Sequence, residues 1–86
     1  MMPEIDRMVG LIFYMYYYDT GKHNSPHVHV KYSSHELIVD INTGVEIVGY
    51  LPNKQRKMAL LHIKVNKSKL LKMWKLAVNG NNPGHL

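Results

Sequence analysis

Eighty-six residues with 45% hydrophobic side chains make one small domain with a thin core. The absence of cysteine excludes disulfide staples and thiolate metal sites. The net charge of +5 is unevenly spread: residues 1–46 hold Arg7, Lys22 and Lys31 against six acids, −3, while residues 47–86 hold eight basic residues and no acid, +8.

The N-terminus lacks the basic-then-apolar layout of a signal peptide, and no apolar run approaches the ~20 residues that span a bilayer. The expectation is a cytoplasmic protein that does not enter a membrane. Residues 1–8, with Pro3 and three charges, read as an extended lead-in. A first strand is predicted at about 9–18. Alternation puts Val9, Leu11, Phe13, Met15 and Tyr17 on one face and Ile12, Tyr14, Tyr16 and Tyr18 on the other. Both faces are largely apolar, as in a central or doubly covered strand. Gly10 reads as a bulge or as the start of the strand.

Asp19 to Pro26 supplies the Asp, Gly, Asn and Pro of a loop. Ser25-Pro26-His27-Val28-His29-Val30-Lys31-Tyr32 then reads as a strand over 27–32. His27, His29 and Lys31 share one face, expected to look outward, and Val28, Val30 and Tyr32 share the other. A turn at Ser33-Ser34-His35 leads to a strand at 36–41. Its residues Leu37, Val39 and Ile41 face inward, and Glu36, Ile38 and Asp40 face the other way. Asn42-Thr43-Gly44 closes a hairpin onto a strand at 45–50. Four strands joined by short loops predict an antiparallel meander.

Pro52-Asn53 ends the sheet, with Asn53 as N-cap. Ala59, Ile63, Leu70, Met73, Trp74 and Ala77 fall in one stripe at helical period. One long helix over about 54–78 follows. A second patch, Met58, Leu61 and Val65, stops at Asn66 and allows a kink, or two helices with Asn66 capping the second. Asn79-Gly80 is a stop signal, and 81–86 reads as a mobile tail. The whole is an α+β domain of residues 1–86, a four-stranded antiparallel meander with the helix packed on it.

Three readings of the histidines compete. His27 and His29 stand about 6–7 Å apart on one strand face. They could bind a divalent transition metal such as zinc or nickel if His23, Asp19 or Asp40 added a ligand. They could act as general acid and base in metal-independent RNA cleavage, with Lys31 stabilising phosphate charge. They could be structural, bonded to carbonyls and packed against tyrosines, which themselves are either core or base-stacking platforms. Lys54, Lys57, Lys64, Lys72 and Lys75 lie opposite the apolar stripe. They form a one-sign surface for RNA, DNA or an acidic partner protein, or a merely solvated face.

The motif Ser25–Tyr32 resembles the signature of a small prokaryotic family, domain of unknown function 4160. Pro3-Glu4-Ile5, Phe13-Tyr14 with Asp19, Thr43-Gly44, Gly49-Tyr50-Leu51-Pro52 and Leu70-Leu71 with Trp74 extend the likeness over about residues 3 to 84. Two places differ from the family pattern. His23-Asn24-Ser25 stand where an acid and a proline are usual. Asn66, Lys67, Ser68 and Lys69 stand where a histidine followed by glutamates is common, which makes this helix more basic. The resemblance implies no settled activity. It implies a companion small protein and a toxin–antitoxin-like role. The combined expectation is a nucleic-acid-associated module of such a pair, with the basic helix and the His27/His29 face as its working surfaces and no required cofactor. The alternatives are a protein-interaction module with structural histidines, or a metal-binding domain.

Overall fold

The computed structural model describes residues 4–16 and 25–86. Tyr17, Tyr18, Asp19 and His23, each given a place in the sequence reading, lie outside the described residues. Strands β1 (Glu4–Met8), β2 (Leu11–Tyr14), β3 (His27–Tyr32), β4 (His35–Asp40) and β5 (Glu46–Gly49) precede helices α1 (Asn53–Val65) and α2 (Lys67–Val78). The sheet runs in order β1-β2-β3-β4-β5, every pair antiparallel. The α+β meander is therefore present, with five strands and two helices rather than four and one.

The added strand is β1, read from sequence as a lead-in. A register shift between Glu4 and Asp6 breaks its period of two, so Ile5 is buried while the polar residues around it are not. That irregularity hides the strand from a pattern search. Val9 and Gly10 form the tight turn to β2, with φ of 40° and 82°. Val9 thus leaves the expected core face and is exposed. Positive φ at both central residues suits a two-residue hairpin, at a steric cost for a branched valine.

From Leu11 the alternation holds. Leu11, Phe13 and Met15 are buried, and Ile12, Tyr14 and Tyr16 are half-buried. Phe13 pairs with Val30, which pairs with Leu37. This row belongs to one core with Val28, Val39 and Ile41, closed by Leu51, Ala59, Ile63, Leu70, Met73, Trp74 and Ala77 from the chain after the sheet. The helical stripe read from period 3.6 is thus the surface that covers the sheet.

The helix is divided at Asn66 (φ −104°, ψ 19°). The Asn66 main-chain N–H still donates to His62 O at 3.1 Å, and Leu70 N–H donates to Asn66 O at 2.9 Å. The Asn66 side-chain amide also donates to His62 O at 2.9 Å. Asn66 therefore secures the end of α1 and makes no side-chain cap for α2. At the other end, Pro52 takes the N-cap place and Asn53 is already helical, so the expected Asn53 cap shifts by one. Residues 81–86, expected as a mobile tail, meet the sheet edge: Pro83 is buried, and Leu86 N–H donates to Ile5 O at 2.9 Å. Among the described residues no helix is long and apolar enough to cross a membrane.

Candidate functional site: a buried histidine pair and a basic helical face

Register places the motif. His29 lies between Tyr14 of β2 and Ile38 of β4, Lys31 between Ile12 and Glu36, and His27 beside Asp40. The three motif residues share a strand face, as period two requires. Their exposure differs from the expectation. His27 is 1% exposed and His29 8%, so neither ring looks outward.

The burial has local causes. The His27 Nδ1–H donates to Ser25 O at 2.9 Å. A carbonyl can only accept, so this bond fixes the proton on Nδ1. The His27 ring packs 4.8 Å from Trp74 of α2 and 5.3 Å from the His29 ring. His29 Nδ1 lies 3.1 Å from Glu36 Oε2, and its ring meets Tyr16 at 4.3 Å with an interplanar angle of 86°. Lys31 Nζ stands 5.5 Å from the Tyr14 ring centre, a cation–π contact.

Chemically, His29 with Glu36 is a carboxylate-oriented imidazole, an arrangement able to move protons or orient a ligand. Sequence reasoning placed Glu36 off the core face but did not join it to His29. The three-residue turn expected at Ser33-Ser34-His35 hid that register: the chain turns on Ser33-Ser34 alone, His35 opens β4 opposite Tyr32, Lys31 falls opposite Glu36, and Glu36 is left diagonal to His29. A second such pair was missed altogether. His62 Nε2–H donates to Asp6 Oδ2 at 2.5 Å, its ring lies 5.0 Å from Phe13, and Asn66 Nδ2 approaches its Nδ1 at 3.5 Å. This pair ties β1 to α1 across 56 residues of chain. No local pattern announces it.

Among the described residues no three His, Cys, Asp or Glu side chains are placed to hold a metal ion. Asp40, a sequence candidate for a third ligand, accepts from Thr43 N–H at 2.9 Å. On β1 the Arg7 guanidinium, bonded to Glu4, lowers the Glu4 carboxyl below its ordinary range, and Glu4 raises Arg7 in return.

Lys54, Lys57 and Lys64 on α1 and Lys72 and Lys75 on α2 are all exposed, as are Lys67 and Lys69. None of the seven has an acidic partner among the described residues. Arg56 differs, reaching Glu46 at 2.9 Å. Lys64 and Lys67 line a groove of about 610 Å³ between the α1–α2 corner and the Asn42–Gly44 turn.

No curated protein and no solved structure matches the chain. A family model, Domain of unknown function (DUF4160), matches residues 10–75, which span the His-Val-His-Val strand, the β4–β5 hairpin and the helix through Trp74. The chain therefore belongs to the DUF4160 family.

Proposed function

We propose that this protein is a nucleic-acid-associated module, in the manner of one member of a toxin–antitoxin-like pair, that holds phosphate backbone on the lysines of α1 and α2. One observation carries the reading: seven exposed lysines on two consecutive helices, without an acidic partner among the described residues, in a half-chain that has no acid after Glu46. Unpaired like charges on one part of a surface repel one another and are relieved by a polyanion, whose condensed counterions are released on binding. The groove at Lys64 and Lys67 gives the backbone a place to lie.

In this reading His27 is structural, holding β3 to Trp74. His29 with Glu36 is the part of the motif arranged for proton transfer, and its burial ranks binding above cleavage. The test is binding of a short single-stranded RNA and a DNA duplex over a salt series. Log affinity should fall linearly with log salt, by about 0.7 per neutralised phosphate for a single strand and about 0.9 for a duplex. Lys64→Glu with Lys67→Glu, both exposed and both lining the groove, should weaken binding at least about tenfold and leave folding intact. A flat salt response, or full binding by the double variant, would reject the proposal. Displacement by an acidic protein with no nucleic-acid binding would point to the interaction-module alternative.

A further inference from the structure

The groove between the α1–α2 corner and the Asn42–Gly44 turn is more than a track for phosphate. Lys64 and Lys67 line its helical side, and among the described residues no acid lines it. Aliphatic carbon lines it as well: Ile41 and Ile63 are buried, Leu60 is half-buried and Leu61 is 63% exposed. On the turn side Asn42 is exposed. The turn closes without its carboxamide: Thr43 N–H donates to Asp40 Oδ1, Val45 N–H to Thr43 Oγ1, and Gly44 N–H to Asp40 O. The Asn42 side chain is thereby left to the groove. Phosphate oxygens need donors and positive charge, and they gain nothing from aliphatic carbon. A ligand that used the whole groove would carry a flat apolar face and a hydrogen-bonding edge beside an anion. The volume of about 610 Å³ lies within the roughly 300–1,000 Å³ of sites that hold drug-sized molecules, and a nucleotide is of that size.

We infer that this groove seats an unpaired base of a single-stranded nucleic acid. The seat rests on the reading of Lys64 and Lys67 as phosphate ligands and adds a second group between them and Asn42. Each side chain then has a task set by its chemistry. The lysines hold the phosphates that flank the base. Leu60 and Leu61 cover a face of the ring and so remove apolar surface from water. The Asn42 carboxamide offers two donors and an acceptor, enough to pair with the edge of any base. A duplex cannot fill the groove in this way, because its bases are stacked and paired and it offers phosphate and sugar outside. A single strand turns a base outward at little cost. Among the described residues no aromatic ring lines the groove, so the base rests on aliphatic carbon and adds less than it would on an aromatic platform.

Fluorescence anisotropy of the full chain with three RNA probes of ~12 nucleotides tests the seat. The probes are a single strand, its duplex, and an abasic strand with the same sugar–phosphate backbone. The intact strand should bind at least about fivefold more tightly than the abasic one. Salt should lower both in parallel and leave the ratio unchanged, because the two release the same counterions and apolar contact is not screened. Leu61→Ser with Asn42→Ala alters two exposed side chains, so circular dichroism should be unchanged. That double variant should bring the intact strand down to the abasic level and leave the abasic strand and the duplex unmoved. An abasic strand bound as tightly as the intact one overturns the inference while the phosphate reading stands. So does an intact strand indifferent to the double variant, or a duplex weakened by it as much as the strand. Failure of all three probes to bind removes the phosphate reading, and the base seat with it.

Discussion

Two glycines with similar backbone angles should respond very differently to one methyl group. Gly49 (φ 103°) would place a Cβ 2.1 Å from the Glu36 carbonyl oxygen, a main-chain atom that cannot move without disturbing β4. Gly44 (φ 74°) has nothing within 4 Å of such a Cβ. Gly44→Ala should cost about 1 kcal/mol for its left-handed angle alone. Gly49→Ala should cost at least about 3 kcal/mol, because a main-chain clash adds to the angle. Urea melts of the two variants check the order, and equal loss would contradict it. His27 makes a parallel case. Its ring is sealed against Trp74 and its Nδ1–H is used, so His27→Ala should cost about 2–4 kcal/mol. Nucleic-acid affinity should persist wherever that variant remains folded.

Among the elements, β1 depends on two remote supports. Asp6 meets His62 of α1, and Ile5 meets the returning tail. Asp6→Leu removes the acceptor of a half-buried imidazole and should cost about 1–3 kcal/mol. Truncation after Gly80 removes buried Pro83 and the Leu86 bond, and it should lower Tm and speed amide exchange at Ile5 and its neighbours. Protection at β1 unchanged by truncation would show that the tail is no support. The α1–α2 division follows the same logic of satisfied groups. Asn66 continues the helical bonding while its amide takes the His62 carbonyl, so a bend forms where the Met58, Leu61 and Val65 patch ends. Leu61 and Val65 are 63% and 73% exposed, and Leu61→Lys should change stability by less than about 0.5 kcal/mol.

Over the whole molecule, charge and apolar surface are segregated. The helices carry lysines without an acidic partner among the described residues, while the β4–β5 hairpin carries Glu36, Asp40 and Glu46 and an exposed apolar edge. The lysine surface carries one prediction: salt should weaken polyanion binding steeply. The sequence alone was sufficient for features that repeat over a few residues. Period two located β3 and β4 and the inward rows Leu11-Phe13-Met15 and Leu37-Val39-Ile41, and period 3.6 located the stripe from Ala59 to Ala77. The motif and its companions were enough for the family. Only tertiary structure decided that His27 and His29 are buried, that Glu36 holds one ring, that Asp6 finds His62, and that β1 is a strand closed by the tail. The reason is physical: periodicity states which way a side chain points, whereas its exposure and its partner depend on which distant segment arrives to cover it.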